Sequence, residues 1–125
     1  MIEVTSNPVN PQDIIDSVRG NTVDGAVVSF IGSLRELSTD GKPLRYADLE
    51  LDPVEVKKSL QKIVDEVKSK WKVSDISICQ RFGRIEVGDA ILVVAISAPH
   101  RGEAFEACQY TIDCAKELHN LREVV

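Results

Sequence analysis

Apolar positions along the chain fall into runs of two kinds. The stretch Asp24-Gly25-Ala26-Val27-Val28-Ser29-Phe30-Ile31-Gly32 and residues 90–97 are short, continuously apolar and bounded by turn residues, the pattern of buried strands. Residues 45–51 alternate, and residues 75–82 form a further apolar run, so both are predicted strands. Longer segments follow a helical period instead. Val56, Leu60, Ile63, Val64, Val67 and Trp71 recur on one face, while lysines and acids fill the other, solvated face. Asp52-Pro53-Val54-Glu55 is the start of that helix, with an acidic N-cap, proline at the first position and glutamate at the third. Asn10-Pro11-Gln12-Asp13 opens a shorter helix that carries Ile14, Ile15 and Val18 inward and stops near Gly20. A last helix is expected over residues 102–118, with Ala104, Phe105, Cys108, Thr111, Ile112 and Ala115 on its inner face.

The polar stretch 33–43, with Asp40-Gly41 as a turn signal, reads as a mobile loop, and residues 83–89 as a connection through the Gly88-Asp89 turn. Strands and helices are interspersed without a regular βαβ rhythm, and no glycine-rich phosphate loop is present. The pattern favours an α+β fold, a mostly antiparallel sheet with flanking helices, over a doubly wound nucleotide-binding one.

Composition narrows the function. The 125 residues suit one compact domain over residues 1–125. A net charge of −5 argues against nucleic-acid binding, which needs a basic face, but leaves room for a small anionic ligand. No apolar run is long enough to span a bilayer, and Met1-Ile2-Glu3-Val4 lacks the features of a signal peptide. Cys79, Cys108 and Cys114 are odd in number and form no CxxC, so they read as reduced, packed thiols of a cytoplasmic protein with no metal site.

The chemistry concentrates in cations. The most apolar strand runs straight into Ala98-Pro99-His100-Arg101-Gly102-Glu103-Ala104-Phe105-Glu106-Ala107, which sets an imidazole and a guanidinium at a helix start. Free backbone N–H groups and the helix dipole favour anions there, so two cations at that end are unexpected on structural grounds. Arg35 follows the Phe30-Ile31-Gly32 strand end, and Lys116 closes the last helix. Each has a bland alternative: a solvated loop arginine, and a lysine placed by the helix dipole. Fifteen residues of straight helix separate Arg101 from Lys116, about 22 Å of rise, so one chain cannot bring both to one small ligand. A shared site would have to be built across a homodimer.

These residues resemble the catalytic (large) subunit family of molybdopterin synthase. The matching motifs are the 24–32 strand with Arg35, Glu50, Gln80-Arg81-Phe82-Gly83 with Gly88-Asp89, and Ala98-Pro99-His100-Arg101 with Ala104-Phe105-Glu106-Ala107 and Gln109. The resemblance implies an α/β-hammerhead type of fold. It also implies a heterotetramer with a central dimer of large subunits and a small ubiquitin-like subunit at each end. The small subunit's C-terminal thiocarboxylate would enter a pocket and give sulfur to cyclic pyranopterin monophosphate, forming the dithiolene of molybdopterin. By the same resemblance Lys116 is catalytic, Arg35, His100 and Arg101 bind substrate phosphate or developing negative charge, and Phe30 walls the pocket. No cofactor or bound metal is implied.

The sequence departs from the family pattern in three places. Glu123 stands where the family has a second catalytic lysine, with Arg122 beside it; Gln80 replaces a usual histidine; and Asp52 replaces a usual tyrosine. Alternative readings are a shortened chain, a homologue that keeps fold and dimer without synthase activity, and a regulatory module that holds phosphate through His100 and Arg101.

Overall fold

The computed structural model spans residues 1–125. Its elements, in chain order, are β1 (Ile2–Thr5), α1 (Pro11–Asp16), β2 (Ala26–Ser33), β3 (Tyr46–Leu49), α2 (Pro53–Lys70), β4 (Asp75–Arg81), β5 (Gly83–Glu86), β6 (Ala90–Ala98), α3 (Arg101–Lys116) and β7 (Leu121–Val124). They form an α+β fold of two sheets. The larger has the order β1-β4-β6-β2, antiparallel except for the β1–β4 pair; the smaller, β5-β3-β7, is wholly antiparallel. No helix is long and apolar enough to cross a membrane.

The central strand β6 explains its own sequence. Helices α2 and α3 cover one face of the larger sheet and α1 the other, so every β6 residue from Ile91 to Ala98 is buried and the strand reads as an unbroken apolar run. Leu92, Val94 and Ile96 join Val56, Leu60, Ile63, Val64 and Val67 of α2 and Ala107, Cys108 and Ala115 of α3 in the main core. Val93 and Ala95 face Ile14 and Val18 at α1. A separate core of Leu34, Leu44, Ala47, Leu49, Ile85 and Ile91 underlies the smaller sheet.

The helix starts follow the expected capping chemistry. Asn10 accepts a hydrogen bond from the Gln12 N–H, and Asp52 accepts from the N–H groups of Val54 and Glu55, with proline next in both cases. Asp52 thus has a structural task at the position where the family pattern has a tyrosine.

Three expectations are corrected, and two unforeseen strands are added. Residues 33–43 are not a free loop: Leu34 and Ser38 are buried, Leu37 bridges Pro43, and the Ser38 N–H donates to Lys42 O at 2.7 Å. Residues 83–89 contain a strand, β5, because β3 supplies a pairing partner from elsewhere in the chain. The chain start and residues 121–124 are strands as well, β1 on β4 and β7 on β3. Phe105 does not face inward. It is 61% exposed, and Ala107 takes the inner position.

An ion pair fastens one of the crossings between the two sheets. After β4 the chain turns through Gly83 (φ 84°), forms β5 in the smaller sheet, and returns as β6. The buried guanidinium of Arg81 donates to Asp89 Oδ2 at 2.9 Å and to Arg84 O at 3.1 Å, fastening exit to re-entry. The same carboxylate oxygen accepts from the Glu86 N–H, and Asp89 O accepts from the Leu34 N–H. Asp89→Ala is therefore expected to destabilise the chain by about 2 kcal/mol in urea unfolding, less than for a fully buried pair because Asp89 is 36% exposed. Glu86→Gln, which removes the exposed Arg84–Glu86 pair, is expected to change stability by under about 0.5 kcal/mol. Equal effects from the two substitutions would show that Arg81 is not the fastening.

Candidate functional site

Helix α3 separates the predicted residues into two groups. His100 is the N-cap residue of α3, in extended conformation and without a capping side-chain hydrogen bond, and Arg101 is the first helical residue; both are exposed. They lie where β6 ends against the start of β2, since Ala98 pairs with Ala26. Gly25 shapes this end. Its N–H donates to Ala98 O and Pro99 O, and a Cβ at Gly25 would meet Pro99 O at 2.6 Å, so only glycine lets the 98–100 backbone pass this close.

The second group lies at the opposite end of β2. The Lys116 ammonium sits 5.5 Å from the centre of the Phe30 ring, on the face of the sheet covered by α3, a cation–π arrangement. The Phe30 ring leans over Gly32, where a Cβ would meet its ring carbons at 3.0 and 3.1 Å. Arg35 comes soon after and lines a cleft of about 280 Å³ with Ser33, Thr39, Leu121 and Glu123. Phe30 and Lys116 are thus brought together, Arg35 lines a separate cleft just beyond the Ser33 end of β2, and His100 and Arg101 stand a helix length from Lys116.

Their charges are available. The ion pairs of the chain are Lys58–Glu55, Lys70–Glu66, Arg81–Asp89, Arg84–Glu86 and Arg122–Asp48, none of which involves Arg35, Arg101 or Lys116. Arg122 is occupied: it faces Asp48 across the β7–β3 ladder and bonds its carboxylate. Glu123 accepts from the N–H and hydroxyl of Thr39, at 3.2 and 2.9 Å, and so holds the 33–43 segment against β7.

The sequence pattern did not single out His119. Its Nε2 lies 2.7 Å from Oε1 of Gln80, a side chain only 1% exposed. The available signal was Gln80 itself, an amide at an inward-facing position of an apolar strand, which requires a polar partner. Burial, reinforced by the Lys116 charge, holds the His119 imidazole below its ordinary pKa. The cysteines are packing residues: burial pushes Cys79 up to about 12 and Cys108 up to about 11, which leaves neither as a thiolate near neutrality. No group of three or more His, Cys, Asp and Glu side chains is arranged to hold a metal ion.

With this geometry in place, the relatives become informative. The family model described as "MoaE protein" matches residues 4–118. The chain belongs to the MoaE family. It is 36% identical over 115 residues to the molybdopterin synthase catalytic subunit of Halalkalibacterium halodurans, covering 92% of this chain and 72% of that one. It is 34% identical over 116 residues to the corresponding subunit of Bacillus subtilis, covering 93% and 73%. The fold superposes on the crystal structure of molybdopterin synthase from Staphylococcus aureus with a TM-score of 0.89 and 31% identity, over 98% of this chain and 89% of that one. A complex of subunits 1 and 2 of the molybdopterin-converting factor from Helicobacter pylori shares the fold, with a TM-score of 0.75 at 12% identity.

Two glycine substitutions test how the His100 end is built. Gly25→Ala is expected to displace the 98–100 backbone and lower the melting temperature by several degrees, as a main-chain clash in packed structure should. Gly102→Ala, whose Cβ would meet nothing within 4 Å in the first turn of α3, is expected to be neutral or to stabilise by about 0.5 kcal/mol. The reverse ranking in thermal melts would contradict the close approach.

Proposed function

We propose that this chain is the catalytic large subunit of molybdopterin synthase. In this reading it transfers sulfur from the C-terminal thiocarboxylate of a small ubiquitin-like subunit to cyclic pyranopterin monophosphate. Membership of the MoaE family, with catalytic subunits among its relatives, carries the reading. Two unpaired cations at the ends of α3, Arg101 and Lys116, with Arg35 beyond the end of β2, supply a chemical reason for it, because donor and substrate are both anionic. Lys116 is the catalytic residue, holding the thiocarboxylate end or assisting proton transfer. Phe30 walls the pocket beside it, and Arg35 binds an anionic group at the cleft mouth. His100 and Arg101 bind the substrate phosphate or the negative charge that develops during transfer.

The separation along α3 requires two chains per pocket. β2 is an open edge of the larger sheet, and Val27 and Ile31 are exposed on it, 39% and 45%. Antiparallel pairing of two β2 edges about a two-fold axis would bring the Ala26 end of one copy to the Ser33 end of the other. His100 and Arg101 of one chain would then approach Lys116, Phe30 and Arg35 of its partner. The same pairing would cover two exposed apolar side chains and an unpaired strand edge, both of which a lone chain leaves in water. The small subunits would sit outside this central dimer, completing a heterotetramer.

Mixing subunits tests both parts of this reading. Lys116→Ala and Arg101→Ala homodimers are each expected to lose conversion of cyclic pyranopterin monophosphate when supplied with the thiocarboxylated small subunit. After the two variants exchange subunits, half of the dimers are mixed and each carries one intact pocket of two, so activity is expected to return to about a quarter of the parental value. Mixed dimers without activity would show that the pocket is not shared. Parental turnover by Lys116→Ala would overturn its catalytic role. A parental chain that binds the small subunit yet yields no product would identify a homologue that has kept binding and lost catalysis.

A further inference from the structure

Gly32 lies inside a strand where the backbone itself does not call for glycine. Its φ is not positive, unlike that of Gly20, Gly41, Gly83 and Gly88, and it pairs with Leu92 in the β2–β6 ladder. Glycine weakens a strand interior, because it loses more freedom on folding than any other residue and brings no side chain to the core. The reason for it lies above the strand. Phe30 and Gly32, two residues apart, share the face of β2 that α2 and α3 cover. The Phe30 ring lies along the strand over Gly32, where a Cβ would meet its Cε2 at 3.0 Å and its Cζ at 3.1 Å. Leu92 O would stand 3.7 Å from that Cβ, an ordinary contact. The ring, and not the sheet, occupies the place of a side chain.

The same ring holds Lys116. The ammonium is 5.5 Å from the ring centre, and Lys116 forms no ion pair. A carboxylate in place of the ring would cancel the lysine charge and repel an incoming anion. An aromatic face attracts the ammonium through its quadrupole and leaves the whole charge available. The direction of that face therefore decides where the ammonium rests. Contacts of 3.0 and 3.1 Å are well inside the roughly 3.5–4.0 Å at which carbon atoms pack, so a methyl group on residue 32 would shift or turn the ring.

We propose that Gly32 is a positioning residue of the Lys116 site: its missing side chain lets the Phe30 ring lie down on the sheet, and the ring in that orientation sets where the Lys116 ammonium is held. The inference rests on the catalytic reading of Lys116 given above. Gly32 acts through the ring alone, and no bond is made or broken at it.

Gly32→Ala, Phe30→Leu and the double variant separate this role from a need of the backbone. Leucine has no atoms where Cε2 and Cζ of Phe30 stand, so it frees the space above residue 32. In Gly32→Ala, kcat for sulfur transfer is expected to fall about fivefold, with KM for the thiocarboxylated subunit unchanged. Phe30→Leu is expected to lower kcat as well, and adding Gly32→Ala to it is expected to change kcat no further. Proton and carbon-13 spectra of labelled lysine in the parent dimer are expected to show the Lys116 ε-methylene group displaced upfield by the ring current. Gly32→Ala is expected to alter that displacement and Phe30→Leu to abolish it. Parental kcat or parental Lys116 resonances in Gly32→Ala would overturn the proposal. So would a further loss of the same size in the double variant, or a double variant that fails to fold where Phe30→Leu folds. A double variant that folds where Gly32→Ala alone does not would support it, since ring and Cβ would then exclude one another. If Lys116→Ala is inactive and Gly32→Ala behaves as the parent, only this inference fails. If Lys116→Ala is active, the catalytic reading of Lys116 fails, and the Lys116 resonances still decide whether Gly32 places the ring.

Discussion

The ion pair between Arg81 and Asp89 decides how the two sheets stand relative to each other, and the candidate site depends on that relation. β5 leaves the larger sheet's chain path after β4 and rejoins it at β6, so the smaller sheet hangs from two adjacent strand ends. A guanidinium buried at this junction bonds Asp89 and Arg84 O but keeps its Nε without a partner. The arrangement is stable only while the carboxylate is in place, because a buried guanidinium without its counter-charge is far costlier than an apolar side chain would be. Asp89 also holds Leu34, the residue before Arg35, so the same junction sets where the cleft opens.

The smaller sheet matters to the chemistry because it governs the path of the chain beyond α3. β7 pairs with β3 through four residues, and this pairing directs the chain back past the end of the larger sheet just after His119. Arg122 and Glu123, the residues beside which a second catalytic cation would be sought, are both committed to this seam, one to Asp48 and the other to Thr39. Polar partners are thus spent on positioning the segment, while Lys116 is left without an ion pair beside an aromatic ring. Charge on the site and charge in the seam are kept apart.

Much of the framework was legible in the pattern of residues, and the exceptions share a cause. Strands β2, β4 and β6 and all three helices announced themselves through burial on one face or both and through capping residues such as Asn10 and Asp52. The missed strands, β1, β5 and β7, each have four residues and owe their conformation to a partner distant in sequence, which local periodicity cannot register. Phe105 fitted the helical period but falls outside the width of the covered face. At the site, cation identity was readable from residue type and position. The way the cations divide between two ends of β2 was only partly readable, from helix length. His119 was not, because its significance comes from an amide on another strand.

α3 runs unbroken from Arg101 to Lys116, and this gives its length a meaning its sequence lacks. Removing one residue from its middle would turn everything beyond the deletion by about 100° and draw it back by about 1.5 Å. Lys116 would swing off the Phe30 ring while His100 and Arg101 stayed where they were. Exchanges of exposed residues such as Gln109 or Asp113 disturb neither end. The helix acts as a ruler whose divisions can be repainted but not counted differently.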